Sequence, residues 1–106
     1  MSGEVKAREV FSTVRDMADR PFVVSVTHQY AADWEELALF ILLEDEAKDR
    51  EVARLCNTIL GHLNEILPRG NPYFSWQVQF KRHNQIIDVI FPGNAPRKLN
   101  TLRYPR

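Results

Sequence analysis

Cysteine is nearly missing from these 106 residues: Cys56 stands alone, so no disulfide can close within the chain. No Asn-x-Ser/Thr sequon occurs, and the residues MSGEVKAREV are charged where a secretory signal would need an apolar run. The longest apolar run, Leu37 to Leu43, falls far short of the ~20 residues of a membrane helix. A cytoplasmic protein without membrane partners is the expectation. Glycine is as sparse. Gly3, Gly61, Gly70 and Gly93 are scattered singly, leaving no Gly-x-Gly-x-x-Gly, Walker or Gly-x-Ser-x-Gly loop. A nucleotide cradle and a serine nucleophile on its elbow both lack their loops.

Metal and nucleophile chemistry also lack their spacings. His28, His62 and His83 fall in three different kinds of segment, with no His-x-His or Cys-x-x-Cys pair. Cys56 sits on a helical apolar stripe, as a packed thiol does. Glu44, Asp45 and Glu46 do not follow a calcium-loop pattern and are read as acids at a helix start, facing its positive dipole end. The expectation is no catalytic residue, no metal and no cofactor.

Net charge is zero, but the charges are segregated. From Asp33 to Glu51 eight acids face two bases, and from Arg69 to Arg106 seven bases face Asp88 alone. Such asymmetry suits an anionic partner or two patches that meet in a homodimer.

Periodicity supplies the fold. Glu4 to Asp19 carries Ala7, Val10, Phe11, Val14, Met17 and Ala18 at helical spacing, and Pro21 closes it. Phe22 to Tyr30 alternates in twos, with Phe22, Val24, Val26, His28 and Tyr30 on one face and Val23, Ser25, Thr27 and Gln29 on the other. Residues 34–43 read either as a buried helix, Asp33 and Glu36 forming a capping box, or as a strand from about Glu36. The strand is preferred, because it completes a hairpin through a short Ala-Ala-Asp connection. From about Ala47 to Leu67 helical spacing returns, ended by Pro68, Gly70 and Pro72. Tyr73 to Pro92 is a second hairpin: Phe74, Trp76, Val78 and Phe80 oppose Ser75, Gln77, Gln79 and Lys81, and Ile86 to Phe91 returns apolar.

The order αββαββ predicts an α+β fold, a two-layer sandwich with two helices on one face of a mainly antiparallel four-stranded sheet. It comprises one domain over 1–92 and a basic, Pro-containing tail over 93–106. The second and fourth strands are apolar on both faces, which places them centrally and suggests the order 1-2-4-3. The middle then resembles the split βαβ of a ferredoxin-like plait, in topology alone.

That arrangement leaves an apolar strip on the uncovered face, with Phe40, Leu42, Ile86, Asp88 and Ile90 as interface candidates. Burying three such apolar side chains is worth roughly 5 to 8 kcal/mol. A second copy, the tail (through Leu99, Leu102 and Tyr104) or a ligand or protein partner could cover it. Asp88, an acid on an apolar strand, needs a partner among Lys81, Arg82 or a tail arginine. The sequence thus reads as a small non-catalytic interaction or regulatory domain that homodimerises or binds a partner through its open sheet face. The alternative is nucleic-acid binding by Lys81, Arg82 and His83 at the hairpin tip with Arg97, Lys98 and Arg103 of the tail.

Overall fold

At the centre of the sheet two strands run parallel, and the rest of the chain is arranged about them. The computed structural model describes residues 3–99. The elements are α1 (Gly3–Met17), β1 (Val23–Ala31), β2 (Glu36–Leu43), α2 (Asp49–Ile66), β3 (Ser75–Arg82) and β4 (Gln85–Ile90). The ambiguous stretch at 34–43 is therefore a strand from Glu36 onward, and the αββαββ order holds.

The strand order is β1-β2-β3-β4, with β1–β2 and β3–β4 antiparallel and β2–β3 parallel. This α+β fold thus has a mixed sheet, and it replaces both the expected order 1-2-4-3 and the split-βαβ sandwich drawn from it. The long helix α2 carries the chain directly from β2 to its neighbour β3, without leaving room for β4 between them. A strand need not be apolar on both faces to be central when one sheet face is open, and β3 fills its inner face with Trp76, Val78 and Phe80, all fully buried. β4 is apolar on both sides for other reasons, a bulge and a C-terminal strap.

Alternation along β2 buries Leu37, Leu39, Ile41 and Leu43 and turns Glu36, Ala38, Phe40 and Leu42 outward. These inner rows meet Val10 and Val14 of α1 and Val52, Cys56, Ile59 and Leu63 of α2 in one core. Phe11 of α1 stacks on His28 of β1 at 4.2 Å between ring centroids. Cys56 of α2 reaches Asp88 of β4. His28 and Asp88 lie on the same sheet face through the paired rows, so both helices cover that face and no described segment covers the other. The second hairpin's apolar face is the floor under the helices. Trp76 adds a polar tie there, its indole N–H donating to the Leu67 carbonyl at 2.8 Å just beyond the end of α2.

Two bulges break the simple alternation. In β1 the pairs Val23↔Leu43 and Ser25↔Leu42 leave Val24 as the extra residue, so Val23 joins the helix side and Val24 is 52% exposed. In β4 the pairs Phe80↔Asp88 and Lys81↔Ile86 leave Ile87 extra. An extra residue reverses the side on which everything beyond it falls. The β3–β4 turn is formed by His83 and Asn84, both with positive φ (54° and 60°), as a two-residue turn matching the strand twist requires.

The chain does not come loose at residue 92. Gly93 N–H donates to Asn64 Oδ1 at 2.9 Å, and Asn57 of α2 makes a two-way bond with the Arg97 backbone, at 2.6 and 2.9 Å. Leu99 packs against the core. Residues 93–99, expected as the start of a tail, thus form a strap along α2 on the helix side. Leu102, Arg103 and Tyr104 lie outside the described residues.

Candidate interaction surface

Cross-strand pairing assembles the open face in rows. Thr27, Phe40, Gln79 and Val89 make one row across the four strands, and Ser25, Leu42, Lys81 and Ile86 make the next. Gln29, Ala38 and Gln77 lie on the other side of the Phe40 row. Gln79 donates its amide N–H to Gln77 Oε1 at 3.0 Å, tying two rows of β3 together. Phe40 and Val89 are half-buried by their neighbours, whereas Leu42 is 37% and Ile86 43% exposed. Phe40 and Leu42 on β2 and Ile86 and Val89 on β4 therefore form two apolar strips, with Val24 exposed on β1. Gln79 and Lys81 of β3 lie between the strips.

Three of the five interface candidates, Phe40, Leu42 and Ile86, lie on this face, Ile86 being separated from the other two by β3. Asp88 and Ile90 are not. Both are fully buried on the helix side, opposite Phe80 and Val78. Strict alternation would keep them on the face of Ile86, and the Ile87 bulge is what moves them off it. The strap runs on the other side of the sheet, so no described part of the C-terminal segment covers the patch.

Asp88 finds the tail arginine that its burial demands. Arg97 Nε donates to Oδ2 at 2.8 Å and Nη2 to Oδ1 at 3.2 Å, a two-pronged pair whose side chains are 7% and 0% exposed. The carboxylate also accepts the Val89 N–H at 2.8 Å and a long contact of 3.8 Å from the Cys56 thiol. Arg97 further donates to the carbonyls of Val89 and Ala95, at 2.9 and 3.0 Å. Burial first, and the neighbouring Asp88 charge second, push the Cys56 thiol far above its ordinary range, partly offset by Arg97. The thiol stays protonated, which is the state of a packed core residue and not of a nucleophile.

The basic residues are spread over three places. Lys81 lies on the open face. Arg82 turns to the helix side, where Nη2 pairs with Asp49 at 2.8 Å and Nη1 donates to the Ala47 carbonyl at 2.7 Å. His83 Nδ1 is 3.6 Å from Asp45. Arg97 is committed to Asp88, Lys98 is exposed on the strap, and Arg103 lies outside the described residues. The acids of 44–51 thus meet part of the basic set within one chain. Among the described residues no three His, Cys, Asp or Glu side chains come together as metal ligands. No helix among them is long and apolar enough to cross a membrane.

Sequence reasoning passed over Trp34. It sits in the β1–β2 turn with 82% exposure, above a shallow cleft of about 470 Å³ shared with Arg69, Tyr73, Phe91 and three prolines. A tryptophan next to a turn acid and outside both strand patterns was the signal available. No family model, curated protein or solved structure matches this chain.

Proposed function

We propose that the protein is a non-catalytic interaction domain that associates through the open face of its sheet, in the first instance with a second copy of itself. The observation that carries this reading is the pair of apolar strips, Phe40 and Leu42 on β2 and Ile86 and Val89 on β4, that flank Gln79 and Lys81 on the face away from both helices, where no described segment covers them. Isolated apolar side chains on a surface are ordinary, whereas apolar side chains gathered on two strands of one uncovered sheet face favour a contact surface. The expected assembly is a homodimer, the commonest closed arrangement of small chains. The buried pairing of Asp88 and the protonated state of Cys56 leave both as parts of the core, which agrees with a binding role in place of a catalytic one.

Sedimentation velocity on the wild-type chain and on Phe40→Glu tests the proposal. Phe40 is already half-buried, so its further burial contributes roughly 0.7 to 1.5 kcal/mol, and a symmetric dimer buries two. Phe40→Glu adds the cost of two carboxylates pressed into the interface. The variant is expected to dissociate at concentrations at least about a hundredfold higher than the wild type, with an unchanged circular dichroism spectrum. A wild-type chain that stays monomeric at the highest soluble concentration, or a Phe40→Glu chain that associates like the wild type, overturns it.

A further inference from the structure

Charge on the open face is sparse and placed with a sign at each end. Of the strand residues that face outward, Glu36 at the start of β2 and Lys81 at the end of β3 are the charged ones; β1 has none, Arg82 and Asp88 being turned to the helix side. β2 and β3 run parallel, with Glu36 level with Ser75 and Leu42 level with Lys81. Six residues separate the two levels, so Glu36 and Lys81 lie about 20 Å apart along the strands. They cannot pair within one chain.

We infer that the open faces of two copies meet with their strands antiparallel, Glu36 of each chain pairing with Lys81 of the partner subunit. This rests on the proposed self-association through that face and fixes its orientation. A two-fold axis lying between the sheets, across the strands, brings the Glu36 end of one chain to the Lys81 end of the other, twice over by symmetry. An axis along the strands instead sets Glu36 near Glu36 and Lys81 near Lys81, which repel. Shape agrees with the antiparallel choice. With the charged ends matched, the two rows at the middle of the face exchange places, so the large Phe40 of one copy lies over the small Ala38 of the other. Ala38, between Gln29 and Gln77, is the low point of the β2 face. Packed faces lie about 10 Å apart, within reach of extended glutamate and lysine side chains. Glu36 and Lys81 are in this arrangement the residues that select orientation, the patch around Phe40 supplying most of the affinity.

Charge reversal tests the pairing. Glu36→Lys and Lys81→Glu, each alone, should weaken the dimer about five- to tenfold at low ionic strength, since each disturbs two symmetric and partly exposed pairs. The double variant Glu36→Lys/Lys81→Glu should return to within about twofold of the wild type. Only an intermolecular pair can give that rescue, because the two positions are too far apart in one chain. Losses that add in the double variant, or single variants indistinguishable from the wild type, overturn the antiparallel pairing. If Phe40→Glu still dissociates the dimer in that case, the open-face association stands and only its orientation falls. If Phe40→Glu has no effect, both fall together.

Discussion

Replacing Arg97 by alanine is expected to be among the most damaging single changes in the chain. Asp88 remains fully buried in such a variant, keeping the Val89 N–H and the long thiol contact but losing both charged donors. Removing one partner of a buried pair costs about 3 to 5 kcal/mol, because the other charge is stranded in a low dielectric. That is a large part of the roughly 5 to 15 kcal/mol that holds a small domain folded. With a urea m-value of about 1 to 3 kcal/mol/M, the midpoint should fall by more than about 1 M, as read from tryptophan fluorescence. Arg82→Ala provides the contrast. Its pair with Asp49 is partly exposed, so the ionic contribution should stay below about 1 kcal/mol. Asp88→Leu together with Arg97→Met, which removes both charges, should recover most of the stability lost in Arg97→Ala. A cost under about 1 kcal/mol for Arg97→Ala, or a double replacement no better than the single one, would refute the reasoning that a stranded charge dominates.

Cys56 should resist thiol reagents until the protein unfolds, with labelling following the unfolding transition. Because its thiol is pushed up in the folded state, its contribution to stability is present below the ordinary thiol value of about 8.5 and is lost as pH rises above it, where the unfolded chain ionises and the folded chain does not. Cys56→Ala should flatten that alkaline slope while lowering stability overall through the cavity it leaves, and denaturation curves from neutral to alkaline pH check both. Gly61, in the interior of α2, has nothing within 4 Å of where a β-carbon would stand. Gly61→Ala should therefore stabilise by about 0.5 to 1 kcal/mol and raise the melting temperature by a few degrees, measured by calorimetry.

Much of the fold was legible in the chain because most elements carry one periodicity. The stripe of α1, the stripe of α2 and the alternation of Phe74 to Lys81 each read correctly, since each element buries one face and wets the other. What failed was the ordering of strands. Apolarity on both faces of β4 points in the sequence to a central strand, whereas in the fold it goes with a bulge and a strap folded against its neighbourhood, neither of which leaves a periodic trace. The candidate surface shows the same division. Phe40 and Leu42 follow from unbroken alternation in β2, and Ile86 lies before the bulge, so all three were placed on the open face. Asp88 and Ile90 lie beyond it and were misplaced together. The need of Asp88 for a basic partner was readable from burial energetics. The choice of Arg97 over Lys81 and Arg82 depends on the path of residues 93–99, which is set by Asn57 and Asn64 on α2, polar residues with no visible pattern.

The bulge at Ile87 acts as a phase shift in space, much as an inserted letter shifts a reading frame. Flattening the bulge, so that Ile87 took a rung of the ladder opposite Phe80, would leave the composition of β4 unchanged and every side chain as apolar or polar as before. Yet it would carry Asp88 and Ile90 to the open face, leave Arg97 without its counter-charge in the core, and set an acid on the apolar strip of β4. Residues 86–90 should accordingly accept substitutions among branched apolar side chains far more readily than a shift of their pairing with β3. In this strand register is a stricter constraint than identity.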